Sequence, residues 1–304
     1  MDLPRLRTLR ELARRKTMAA VADALFVSTS AVSQQISQLE GEVGVPLVER
    51  RGRGVRLTPA GEQLVAHADR IFGIVEEAKT DLAEMKKIVA GELRVAAFPS
   101  VASSLIPITM KKLETLHPRL NIVLSAMEPS EGLAALRAWQ TDVAVIDDIT
   151  VEPGGVEGNI DTHYLCDDSL FAIMHADHPL AQQPVIHLSS LKDDKWALDV
   201  ASNVYSDVIR RECRAAGFEP TVNGYCNGFE VVIALIEAGC SVSVMPGLRL
   251  QNFAGTVTAR PLQPEMRRRI AAAIRRGEAR NPAIAAFLEA LKKVAATGAD
   301  SSLQ

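Results

Sequence analysis

The chain has 304 residues, 47% hydrophobic and 23% charged; the length suits two or three globular domains, and the composition excludes disorder, collagen and a disulfide scaffold. Cys166, Cys213, Cys226 and Cys240 lie far apart with no C-x-x-C spacing, as expected of reduced thiols in a cytoplasmic protein, and no run approaches the roughly 18 apolar residues of a membrane helix. Residues 1–56 hold ten Lys and Arg against six Asp and Glu, a balance of +4 that leaves −7 for the rest of a chain whose net charge is −3, the mark of a small basic module on a larger acidic body.

The first fifty residues read as short helices with tight connections. Arginines recur too often in Met1–Lys16 for a signal peptide. Thr17 caps a helix running from Met18 to Leu25, Phe26 and Val27 make a brief turn, and Ser28 precedes a second run from Thr29 to Glu42. In that run Val32, Ile36, Leu39 and Val43 form one buried stripe. The opposite side carries Thr29, Ser30, Ser33, Gln34, Ser37 and Gln38, polar and uncharged, suited to close approach to another molecule. The pattern is that of a helix-turn-helix, whose second helix enters the major groove of duplex DNA; the bland alternative is a solvated face on a small helical bundle. Next, Arg50-Arg51-Gly52-Arg53-Gly54-Val55-Arg56 predicts a two-stranded wing with arginines at its tip, placed to hold phosphates.

These residues resemble the LysR-type transcriptional regulators. The resemblance lies in Ala19-Ala20, Val27-Ser28, Ala31-Val32-Ser33, Gln35-Ile36, Leu39-Glu40, Gly44, Pro46-Leu47, Arg50, Arg53, Leu57-Thr58 and Ala60-Gly61, with Leu9 and Val48 standing where the family usually has phenylalanine. It implies double-stranded promoter DNA as a partner, with Ser28, Thr29, Ser30, Ser33, Gln34, Ser37 and Gln38 at the bases and Arg50, Arg51 and Arg53 on phosphates or in the minor groove. It also implies RNA polymerase as a further partner.

Thr58 and Pro59 open a long helix. Leu64, Ala68, Ile71, Val75, Ala78, Leu82, Met85 and Val89 alternate at four and three, which reads as a coiled-coil seam joining two copies; the alternative is packing within the same chain. In the resembled family this helix does pair between subunits, so a dimer or tetramer is implied, with two recognition helices for an inverted repeat.

From Gly91 the pattern becomes β-α-β. Strands are expected at 93–98, 121–127 and 142–146, then, past a polar crossover at 148–158, at 169–174, 196–200, 221–226 and 242–245. Helices are expected after Pro99 and Pro129 and over 205–216, 229–238 and 282–296. Such alternation predicts a largely parallel sheet covered by helices. The family resemblance continues more weakly in Leu116-His117-Pro118, Asp142-Val143-Ala144, Asp177-His178-Pro179-Leu180-Ala181, Ala238-Gly239 and Met245-Pro246, and implies a two-lobed effector domain similar to periplasmic solute-binding proteins.

Ligands in α/β sheets sit beyond the carboxyl ends of strands, at helix N-termini. Four junctions qualify: Pro99–Ala102, Glu128–Ser130, Ala201–Asn203 and Asn227–Phe229. The candidate effector residues are therefore Ser100, Val101, Ala102, Glu128, Pro129, Asp147, Ser202, Asn203 and Asn227, with Ser103, Ser104 and Ser130 read as helix caps. Ser100, Ser202 and Asn203 suit a carboxylate, Glu128 and Asp147 an amine, and the choice stays open. No metal or cofactor is expected: three-residue spacing in a strand sends His163 and Cys166 to opposite faces, and His178 belongs to the family segment. Cys213 and Cys226 read as buried structural thiols rather than a redox switch. G-x-S-x-G, P-loop and G-x-G-x-x-G motifs are all missing from the sequence, so catalysis is not indicated.

The expectation is a multi-domain α plus α/β chain: a winged helix-turn-helix over 1–58, a linker and dimerisation helix over 59–90, and a periplasmic-binding-protein-like effector domain over 91–300. Its lobe I takes 91–160 and 266–300 and its lobe II 161–265. The expected function is effector-responsive regulation of transcription by a homo-oligomer. The rivals are a DNA-architectural protein without an effector, and a solute-binding or enzymatic α/β protein with a helical assembly domain.

Overall fold

Asp2 accepts the Arg5 backbone N–H at 3.0 Å and opens α1 (Leu3–Arg15) in a computed structural model that describes residues 1–25, 27–51, 54–86, 88–151, 156, 160–200, 203–250 and 255–301. The Thr17 hydroxyl caps α2 (Met18–Leu25), and Ser28 caps α3 (Thr29–Val43) by accepting from Ala31. Gly44 ends α3 in the left-handed conformation (φ 74°). The Glu40 carboxylate then takes the N–H groups of Leu47 and Val48, fixing the entry to the wing formed by β1 (Val48–Arg51) and antiparallel β2 (Gly54–Leu57). Leu6, Leu9, Leu12, Val32, Ile36 and Leu39 meet in one core.

The long helix α4 (Pro59–Lys86) begins by joining that core. Gly61 must be glycine, because a Cβ there would stand 2.1 Å from the Leu47 carbonyl oxygen. The expected seam divides along its length. Leu64, Ala68 and Ile71 pack inside their own winged domain, Val75 is half-buried, and Ala78, Leu82 and Met85 are exposed. Ile74 is exposed beside them. Val89 lies past the helix and packs on the α/β core instead, which corrects the expected run of the stripe to that residue.

Contacts divide the chain into Met1–Leu82 and Ala83–Gln304. In the second unit β3 (Gly91–Ala97), α5 (Pro99–Leu116), β4 (Leu120–Ala126), α6 (Pro129–Arg137) and β5 (Val143–Asp147) form parallel β-α-β units. Strand β5 is buried on both faces: Val143 and Val145 face the layer of α5, while Ala144 and Ile146 face Leu133 and Leu136 of α6.

The chain then leaves this lobe on the long β6 (Ile160–His175) and, past the short β7 (Ile186–His187), builds a second lobe. That lobe holds β8 (Lys195–Asp199), α7 (Asn203–Ala215), β9 (Thr221–Cys226), α8 (Phe229–Glu237), β10 (Ser243–Pro246) and β11 (Val257–Gln263) around a core centred on Trp196. It returns on β12 (Arg267–Arg275) and closes with α9 (Pro282–Ser301), whose Phe287 and Leu291 complete the first lobe's core. The largely parallel sheet expected from the sequence is corrected here. β12 pairs antiparallel with β5 and β6, and β10 and β11 pair antiparallel with β6, because both connections must run back between the lobes.

Candidate functional site

Two surfaces concentrate polar groups. The first is the outer face of α3. Val32, Ile36 and Leu39 are buried, so helical geometry turns Thr29, Ser30, Ser33, Gln34, Ser37 and Gln38 outward, and all six are exposed together with Ser28. Gln35, one position over, is instead tied to α1, where it accepts from the Thr8 hydroxyl. The exposed face is neutral, with hydroxyl and amide groups able both to donate and to accept. In the wing, Arg50 and Arg51 lie on β1 with their side chains outside the described residues, and Arg53 falls outside them altogether.

The second is a narrow cleft of about 30 Å³ between the lobes, lined by Phe98, Pro99, Ser100, Glu128, Pro129, Asp147, Thr150, Asp199, Tyr205, Phe229, Pro246 and Arg268. It stands at the carboxyl ends of strands and the starts of α5, α6, α7 and α8. Arg268 forms its floor. Its Nε and Nη2 donate to Asp168 at 3.0 and 2.8 Å, Nη2 to the Ser100 hydroxyl at 2.6 Å, and Nη1 to Asp147 at 3.3 Å. The Phe98 ring stacks on the guanidinium, 4.8 Å from its centroid. Burial lifts the Asp168 carboxyl above its ordinary range even against Arg268. Asp168 also accepts the Leu248 N–H at 3.0 Å, so one ion cluster touches both lobes. Asp147 receives the N–H groups of Ile149 and Thr150 and the Thr150 hydroxyl on its other oxygen.

The cleft brings together Ser100, Glu128, Pro129 and Asp147 of the residues expected from the sequence. Val101 is instead fully buried in the core, and Ala102 is half-buried against it. Asn227 is exposed outside the lining, Ser202 lies outside the described residues, and Asn203 starts α7 with its side chain outside them. The reading of Ser103 and Ser104 as caps is corrected: both hydroxyls bond carbonyls one turn back, at Pro99 and Ser100. Arg268, Asp168, Asp199, Tyr205 and Thr150 were missed. Arg268 had a signal, since it stands two and four residues before Ile270 and Ala272 and so shares their buried face, while Arg267 and Arg269 point out.

The remaining candidates serve the fold. His178 bonds Asp194 at 3.1 Å and accepts from Leu180, and the described residues contain no grouping that would hold a metal ion. Cys166, Cys213 and Cys226 are buried and Cys240 is exposed. Burial pushes the Cys166 thiol to about 11 and the Cys213 thiol to about 12, and raises Cys226 as well. Such thiols hold their protons at neutral pH, the opposite of an activated cysteine.

Both surfaces lie in stretches that match known families. Residues 3–62 match the bacterial regulatory helix-turn-helix protein, LysR family, and residues 87–296 match the LysR substrate binding domain. The transcriptional dual regulator GltC of Bacillus subtilis is 27% identical over 246 residues, covering 81% of each chain. Full-length OxyR C199D from Pseudomonas aeruginosa superposes with a TM-score of 0.70 at 25% identity, over 96% of this chain and 94% of that one. CbnR complexed with its target DNA shares the fold, with a TM-score of 0.62 at 22% identity over 97% and 100% of the two chains. This chain belongs to the LysR family of transcriptional regulators, with a DNA-binding domain at its N-terminus and an effector-binding domain at its C-terminus.

Proposed function

We propose that this protein binds a dyad-symmetric promoter site as a homodimer or tetramer and answers to a small molecule held in the interlobe cleft, acting with RNA polymerase in the cytoplasm. The observation that carries the reading is the α3 face: Ser28, Thr29, Ser30, Ser33, Gln34, Ser37 and Gln38 are all exposed on one side of a helix whose other side is locked in the core. Gln34 and its neighbours read base edges, while Arg50, Arg51 and Arg53 hold phosphates. The exposed part of the α4 stripe, Ala78, Leu82 and Met85 with half-buried Val75, pairs with a second copy. CbnR, which shares the fold, has been solved in complex with its target DNA, and this supports the same docking here. A purely architectural role fits less well, because a domain of this family's substrate-binding type covers residues 87–296.

Selection of bound fragments from the source genome in moderate salt tests the reading, with an inverted repeat as the expected product. On that site Gln34→Ala is expected to lose about 1–3 kcal/mol of base discrimination. Arg53→Ala is expected to weaken all DNA alike and to lower the salt slope by about one counterion. Equal losses on operator and random DNA for Gln34→Ala would overturn the assignment of that face, and sequence-indifferent binding throughout would favour the architectural role.

A further inference from the structure

We propose that Arg10 and Asp69 brace the linker helix α4 against the α1–α3 body and thereby set the spacing of the two half-sites that a dimer reads. This rests on the proposed docking of α3 on DNA and pairing of α4 between copies; the brace decides only the distance between the two α3 helices. Its parts lie within residues 1–82. On one side of α1, Thr8 donates to Gln35 of α3, and Arg5 pairs with Glu42 near the end of that helix. On another, the Arg10 Nε stands 2.7 Å from the Asp69 carboxylate of α4, and the guanidinium lies over the Phe72 ring, 5.2 Å from its centroid. Arg10 follows Thr8 by two residues, about 200° around the helix, so α1 is gripped from both sides.

The base of α4 is pinned separately. The Thr58 N–H and hydroxyl donate to the carbonyls of Leu47 and Pro46 at 3.0 and 2.8 Å, and Gly61 lies against the Leu47 carbonyl. One pinned end leaves a helix able to tilt. Leu64, Ala68 and Ile71 hold α4 down on the core, but apolar burial has no preferred direction and fixes the angle less sharply. Asp69, eight residues beyond Gly61 and about 12 Å along the axis, supplies the second fixed point. Arg10 is 8% exposed and burial lifts the Asp69 carboxyl above its ordinary range, so parting the two leaves charge in a poorly hydrated site. A slip of about 2 Å there turns the helix by about 10° and carries Leu82, about 32 Å from Gly61, sideways by about 5 Å. That exceeds the roughly 3.4 Å rise of a base pair. Half-site spacing therefore follows the angle that Arg10 and Asp69 hold.

The test measures spacing preference with the full chain. The inverted repeat recovered by genomic selection is remade with its centre lengthened or shortened one base pair at a time, and affinity is read by gel shift beside a lone half-site. In Arg10→Met the penalty for one added or removed base pair is expected to fall about threefold or more, with lone half-site affinity unchanged. Arg10→Lys keeps the charge and is expected to keep the wild-type profile. Arg10→Met leaves Asp69 without that cation, so the paired variant Arg10→Met, Asp69→Leu, which strands no charge, keeps the test decisive where the single one unfolds. A spacing profile as narrow as the wild type's in the folded paired variant, whatever its stability, would overturn the proposal and leave the regulator standing. Failure of the wild type to select any inverted repeat would overturn the dimeric DNA-binding reading and this inference with it.

Discussion

Arg268 shows how much one side chain can bind together. It is 3% exposed, on the strand that returns between the lobes, and it contacts that strand's partner through Asp168 and the first lobe through Asp147 and Ser100. Two buried carboxylates and one guanidinium are tolerable only as a set, since removing one partner strands a charge in a poorly hydrated interior. Arg268→Ala leaves Asp168 and Asp147 facing each other, and the expected loss is about 3–5 kcal/mol in chemical denaturation of the α/β unit. A loss under about 1 kcal/mol would mean that water reaches the cluster. The sequence placed Asp147 and Ser100 near the cleft but not their partner. Three consecutive arginines look like a solvated face until the strand's register shows that the middle one turns inward.

Among the secondary-structure elements, the helices followed their own periodicity closely. The expected runs of 18–25 and 29–42 correspond to α2 (Met18–Leu25) and α3 (Thr29–Val43), because caps and a 3.6-residue stripe are local properties. The α4 stripe is the instructive exception. Its four-three spacing is unbroken from Leu64 to Met85, yet Leu64, Ala68 and Ile71 are consumed by the winged domain's own core. A heptad tells which residues share a face and leaves open what covers it. Leu82→Asp combined with Met85→Asp is expected to give a monomer in sedimentation, with winged-domain stability unchanged, because both residues are exposed in one copy. Ile71→Asp, by contrast, is expected to unfold that domain. A Leu82→Asp, Met85→Asp protein that still sediments as a dimer would move the interface elsewhere.

Across the molecule, the buried thiols bear on how signals enter. A thiol with a pKa of about 12, as burial gives Cys213, is about one part in ten thousand thiolate at pH 8. Native-state alkylation with iodoacetamide followed by mass spectrometry is expected to label exposed Cys240 and to spare Cys166 and Cys213 until the protein is denatured. Rapid labelling of Cys213 in the folded protein would contradict that picture. The same shift has a pH consequence. The unfolded thiol ionises near 9 and the folded one near 12, so its contribution to stability is complete below pH 9 and is lost as the pH rises toward 12.

The winged helix-turn-helix, its exposed polar face and the β-α-β units were all legible in the bare chain, because caps, turns and short-range hydrophobic periods are written in neighbouring residues. The antiparallel return of β12 and the ion cluster that joins residues 100, 147, 168 and 268 emerged only with the folded molecule. So did the division of the α4 stripe into a covered half and an open one. Those features depend on pairings between positions scores of residues apart, and pairing at such distances is set by how whole layers close on one another, which no local pattern records.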